Sequence, residues 1–177
     1  AGRYLFSTLD DIEQKEGLLK DPSREHLEDR WILSELDRTT NEVHELWGSF
    51  QLGEAERVLQ DFTWGQYCDW YIELAKVRIR DGDNSPRNVL TFIFERILRL
   101  LHPFMPFITE ELWQQLKGTL SDGNSLTSSI MVSSYPEASG LPTDLKAIKE
   151  MELVIELIKR IRNIRAELRI EPQMLLD

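Results

Sequence analysis

At 177 residues with 41% hydrophobic side chains, the chain can bury one sizeable core and is too apolar for disorder. No apolar stretch is long and uncharged enough to cross a bilayer, and Ala1-Gly2-Arg3-Tyr4-Leu5-Phe6 lacks the regions of a signal peptide. The lone cysteine, Cys68, excludes an internal disulfide and fits a reducing compartment such as the cytoplasm, while a net charge of −10 argues against a nucleic-acid partner unless the bases are segregated.

Residues 1–20 read as a lead-in to a core over 21–117. The first helix of that core starts near Asp21-Pro22-Ser23, with Asp21 as cap and Pro22 at the first helical position. Leu27, Trp31, Ile32, Leu36, Val43 and Trp47 then make one apolar stripe, and Gly48 ends it. A second segment runs from about Gly53 to Arg80. Its stripe passes from Ala55, Val58, Leu59 and Phe62 to Trp64, Tyr67, Tyr71, Leu74 and Ala75, a jump of about a quarter to a third of a turn near Gly65. Either the helix bends there or its halves meet different neighbours.

Gly82 and Asp83-Asn84-Ser85-Pro86 separate this segment from a broad apolar helix carrying Val89, Leu90, Ile93, Phe94, Ile97, Leu98 and Leu101. Pro103 and Pro106 interrupt it before a shorter helix with Phe107, Ile108, Leu112, Trp113 and Leu116. Residues 118–143, rich in Ser, Gly, Pro and Thr, read as a loop with a short extended piece at Ile130-Met131-Val132. A C-terminal segment, 144–177, opens with a helix to about Arg169. Its stripe is Ile148, Met151, Val154, Ile155, Ile158, Ile161 and Leu168, with Lys159, Arg162, Arg165 and Arg169 beside it. The pattern predicts an all-α helical bundle.

Catalytic constellations are missing from the sequence. There is no glycine-rich phosphate loop, H-E-x-x-H or nucleophile elbow, and His26, His44 and His102 have no ligand-like spacing. Cys68 beside Asp69 reads as a packed thiol, because a reactive thiolate needs an electropositive setting. Glu110-Glu111 reads as a pair of helix N-terminal acids. Catalytic and metal residues are therefore assigned to none. Binding remains. Trp64, Tyr67, Trp70 and Tyr71, followed by Lys76, Arg78 and Arg80, supply rings and cations of the kind that hold unpaired bases and phosphates. The same aromatics at helical spacing also suit a core, and the basic run Lys159 to Arg165 also suits a solvated helix face.

Longer stretches narrow the choice. Asp29-Arg30-Trp31-Ile32-Leu33-Ser34-Glu35-Leu36 resembles the opening helix of class I aminoacyl-tRNA synthetase anticodon-binding domains. Asp61-Phe62-Thr63-Trp64, Cys68-Asp69-Trp70-Tyr71-Ile72-Glu73-Leu74-Ala75-Lys76 and the run Leu100 to Trp113 are similar to the valine enzymes more than to those for isoleucine. Ser129-Ile130-Met131, Tyr135-Pro136 and Ile161 to Glu167 follow in the same order. Departures fall at Phe50 to Ala55 and at Gly65-Gln66-Tyr67. The H-I-G-H and K-M-S-K-S signatures are absent, so the resemblance implies part of a longer enzyme.

That resemblance implies an α-helical bundle that binds the anticodon stem-loop of a valine tRNA beside catalytic and editing domains, in the cytoplasm. It implies no cofactor in this part, and ATP with Mg²⁺ for the full enzyme. Side-chain chemistry then nominates Arg30, Arg38, Trp64, Tyr67 and Trp70 for the loop, and Lys159, Arg162 and Arg165 for the backbone. The alternatives are the isoleucine counterpart, a protein-interaction bundle without RNA, and a small hydrolase using His102 or Cys68.

Overall fold

A computed structural model describes residues 2–10, 22, 24–120 and 126–170. Its helices are α1 (Gly2–Asp10), α2 (Leu27–Gly48), α3 (Leu52–Gln60), a π-helical stretch (Asp61–Tyr71), α4 (Ile72–Arg80), α5 (Ser85–Leu101), α6 (Pro106–Thr119) and α7 (Leu145–Glu167), with a 3-10 turn at Ile130–Val132. No strand occurs among the described residues. The all-α bundle expected from periodicity is the architecture found.

The lead-in needs correction. Helix α1 buries Leu5, Phe6 and Leu9 in the main core and sets Phe6 edge-on to Phe94 at 5.9 Å. Its Thr8 carbonyl accepts from Arg87 Nε at 3.3 Å. Helix α2 begins at Leu27, with His26 in the cap position; Asp21 and Ser23, the expected start, lie outside the described residues. The start of α7 falls where expected, with Asp144 as its cap, accepting from the Ala147 N–H at 2.9 Å.

From Leu52 to Arg80 the chain is one continuous helical rod. The jump in its apolar stripe arises from winding. A π turn bonds i to i+5 and adds one residue, which rotates the following face by about 100°. Phe62 and Tyr67, five apart, are both buried, and Tyr71 and Ala75 continue that face at four-residue steps. Gly65 is not forced by packing, since a Cβ there would meet nothing within 4 Å.

One buried ionic knot ties α2, α4 and the start of α5. Arg78 NH1 donates to both Asp29 carboxylate oxygens and to Glu28 Oε1, each at 2.9 Å. Its Nε donates to Asp83 Oδ2 at 2.9 Å and its NH2 to Ser85 Oγ at 2.7 Å. The Tyr71 hydroxyl completes the knot by donating to Asp29 Oδ1 at 2.6 Å. Burial pushes the Asp29 carboxyl up, against the hydrogen bonds from Tyr71 and Arg78.

Asp83 lies at the rim of the knot. Partial desolvation opposes its ionisation, but hydrogen bonds from the Ser85 N–H and hydroxyl and from Arg78 hold its pKa at about 2. A depressed carboxylate stabilises the fold above its unfolded pKa and loses that contribution as pH falls through the folded value. Urea midpoints of wild type and Asp83→Asn should therefore differ most above about pH 4 and converge toward pH 2. A difference that stays constant across that range contradicts this assignment.

The loop after α6 forms a 3-10 turn at Ile130–Val132, in place of the extended piece expected there, and then a strap across α2 and α5. Glu110 holds the turn, accepting from Ser129 Oγ at 2.8 Å and from the Ile130 N–H at 3.1 Å. Further on, Arg99 NH1 donates to the Ser134 carbonyl, His44 Nε2 donates to the Pro136 carbonyl at 2.7 Å, and the Ser139 N–H donates to Asp37 at 2.9 Å. The strap delivers the chain to Asp144, whose N–H donates to Ser34 Oγ at 3.2 Å.

The α7 stripe is only partly a core stripe. Ala147, Ile148 and Met151 are buried against the bundle, and Ile155 is half-buried. Val154, Ile161 and Leu168, expected in the stripe, are exposed together with Leu153, Leu157 and Ile164. The first three turns of α7 dock, as far as Ile155; the rest has one face in solvent.

Candidate nucleic-acid interface

The π stretch sorts the aromatic nominees by face. Tyr67 is fully buried and donates to the Leu90 carbonyl at 2.8 Å, with its ring stacked on Tyr71 at 6.3 Å. A base cannot reach that ring, so Tyr67 leaves the candidate set as a core residue. Trp64 is 50% exposed. Trp70 is half-buried and packs against the core by one side.

Trp70 is where separate parts of the sequence meet. Lys159 Nζ lies 5.8 Å and Arg162 Cζ 5.5 Å from its ring centroid, both within cation–π range. Gly65, Cys68, Asp69, Trp70, Glu73, Lys159 and Arg162 enclose an open cleft of about 570 Å³. The absence of a side chain at Gly65 leaves one wall low. No carboxylate forms an ion pair with Lys159 or Arg162 among the described residues. Two cations over an indole, lining one cleft, bring together an aromatic ring and positive charge, the two kinds of group that single-stranded nucleic acids engage.

The other nominees lie elsewhere. Arg165 follows on α7 and is half-buried. Arg30 is held within the fold, its Nε 3.1 Å from Asp144 Oδ2 and its NH1 donating to the Glu25 carbonyl. That pairing fixes the start of α7 on α2. Arg38 is 56% exposed and donates to Glu35 Oε2 at 2.6 Å. The structure thus unites Trp70, Lys159 and Arg162 and leaves Arg30 and Arg38 on another element.

Sequence reasoning passed over Tyr4 and Asp69. Lys76 Nζ sits 5.0 Å from the centroid of the Tyr4 ring, which brings a second cation–aromatic pair from α1 and α4. The spacing Leu5, Phe6, Leu9 was the signal for α1, and with it for Tyr4. The hydrolase alternative gains nothing from the geometry. Burial and Asp69 push the Cys68 thiol up, and His102 Nδ1 is bonded to Thr109 Oγ1 at 2.7 Å.

A family model described as the anticodon-binding domain of tRNA ligase matches residues 29–177. The chain belongs to this family. It is 46% identical over 172 residues to a protein named valine–tRNA ligase from Dehalococcoides mccartyi, covering 97% of this chain and 19% of that protein. A second strain of that species has a valine–tRNA ligase 52% identical over 146 residues, 82% of this chain and 16% of the relative. The Gloeobacter violaceus valine–tRNA ligase is 38% identical over 174 residues, 97% of this chain and 19% of the relative. The chain spans about a fifth of the length of these relatives. They carry the valine name, in line with the valine-type motif Cys68 to Lys76, and not the isoleucine name. No helix among the described residues is long and apolar enough to cross a membrane.

Proposed function

We propose that this bundle holds the anticodon stem-loop of a valine tRNA within a longer cytoplasmic valine–tRNA ligase. The observation that carries the reading is the convergence of Lys159 and Arg162 from α7 on Trp70 from the π stretch. One loop base stacks on the indole, and the two cations neutralise the flanking phosphates. The body is acidic overall, which confines the RNA to this basic strip and keeps it from spreading over the surface. The other parts of the full enzyme bind ATP with Mg²⁺, activate valine, and transfer it to the distant acceptor end. They also hydrolyse misacylated threonine, since an apolar pocket rejects an isosteric hydroxyl only about 100-fold.

Arg162→Glu should weaken binding of a valine anticodon stem-loop and flatten its salt dependence, by about 0.7 in log–log slope for each phosphate that is no longer neutralised. Fluorescence anisotropy at a series of salt concentrations reads both quantities. An unchanged slope removes Arg162 from the interface. A leucine stem-loop provides the comparison for preference, and equal affinity for both loops means that discrimination requires the remainder of the enzyme.

A further inference from the structure

The cleft at Trp70 contains two carboxylates, which an RNA backbone repels, and one of them has no hydrogen-bond or ion-pair partner among the described residues. Glu73 is engaged, its Oε1 accepting from Lys76 Nζ at 2.5 Å. Asp69 is exposed, lines the cleft next to Trp70, and makes no hydrogen bond or ion pair with a described residue. Lys159 and Arg162 reach the indole without pairing to it. An acid left unpaired beside two unpaired cations suits a ligand that carries negative charge on its backbone and hydrogen-bond donors on its flat edge. An unpaired nucleotide is such a ligand.

We infer that Asp69 reads the pairing edge of the base stacked on Trp70 and selects a base with an amino group there, cytosine, adenine or guanine, against uracil. An ionised carboxylate only accepts. Cytosine N4 and adenine N6 donate to it directly, and guanine offers its ring N–H together with N2. Uracil offers one ring N–H between two carbonyl oxygens, and those oxygens face the carboxylate unfavourably. Asp69 and Trp70 diverge on the helical rod but line the same cleft, so a base held against the indole lies within the space that the Asp69 carboxylate borders. Lys159 and Arg162, arriving from α7 over the indole, line the same cleft and supply the positive charge for the phosphates.

This inference rests on the anticodon reading of the same cleft, and the experiment separates the two. This chain is titrated by anisotropy with a valine anticodon hairpin RNA and with hairpins in which each unpaired, amino-bearing loop base is changed in turn to uracil. One such change should weaken wild-type binding by about tenfold, the scale of one charge-assisted hydrogen bond. In Asp69→Asn the same change should cost less than about twofold, because a carboxamide both donates and accepts. A full penalty retained in Asp69→Asn, or no uracil-sensitive position in wild type, overturns the inference. If Arg162→Glu weakens binding and Asp69→Asn keeps the penalty, only the base-reading role fails. If the hairpin does not bind, or binds Arg162→Glu as well as wild type, the anticodon reading of the cleft fails and this role fails with it. Asp69 is on the surface, so circular dichroism of the variant should match wild type.

Discussion

Arg78→Ala should lower the unfolding free energy by about 3–5 kcal/mol, measured by urea denaturation at neutral pH. The size follows from what is left behind. Asp29 is 1% exposed, and Arg78 provides two of its hydrogen bonds, leaving only the Tyr71 hydroxyl after the substitution. Removing one partner of a buried ion pair strands the other charge, which costs more than the pair contributes when intact. Arg78→Lys should recover only part of the loss, because an ammonium cannot span Glu28, Asp29, Asp83 and Ser85 with one planar fork. Adding Asp29→Asn to Arg78→Ala should cost less than the sum of the single changes, since the stranded charge is gone. A loss below about 1 kcal/mol for Arg78→Ala would place the knot with ordinary surface pairs and reject this account.

Tyr67→Ala should destabilise the bundle by about 3–5 kcal/mol, as expected for emptying a large ring from a packed core. Read only by RNA titration, the variant would look like a lost stacking residue. The two explanations separate on stability. Tyr67→Phe keeps the ring, removes only the bond to the Leu90 carbonyl, and should cost about 1 kcal/mol with RNA affinity unchanged. Trp70→Ala should show the opposite profile, with a smaller change in the urea midpoint and a loss of about 1–3 kcal/mol in binding. If Tyr67→Phe impaired binding in a fully folded protein, the placement of Tyr67 in the core would be wrong.

The contrast between Tyr67 and Trp70 shows how far the sequence could be read. Both are aromatic, three residues apart, on a helix correctly assigned from its periodicity. Which of them faces outward depends on the winding between Asp61 and Tyr71, and a period counted at 100° per residue assumes α geometry throughout. The stripe jump near Gly65 was visible; its cause, one extra residue in the turn, was not. Helix boundaries marked by Gly and Pro near residues 48, 82 and 103 were legible because those residues act locally. Arg30 could not be set aside beforehand, since its partner Asp144 meets it only once α7 is laid on α2, whereas Arg38 pairs locally with Glu35 at i,i+3 on the same helix, a spacing already legible in the sequence. In the same way Asp29, part of the family-like opening motif, gains its meaning from Arg78, 49 residues away. The basic run on α7 was plain in the sequence, and its approach to Trp70 is a property of the fold.

The partial docking of α7 sets the mechanics of the cleft. The helix is anchored through Ala147, Ile148, Met151 and the half-buried Ile155, while Arg162 lies seven residues beyond the last of these, about 10 Å along the axis. Trp70 sits on a rod backed by the core, so one wall of the cleft is fixed and the other is a cantilever. A tilt of about 5° at the anchor moves Arg162 by about 0.9 Å over that length, more than the tolerance of a hydrogen bond. The aperture of the cleft is thus governed by the third turn of α7, where the helix leaves the core at Ile155, and its stiffness sets how far Lys159 and Arg162 can shift relative to Trp70.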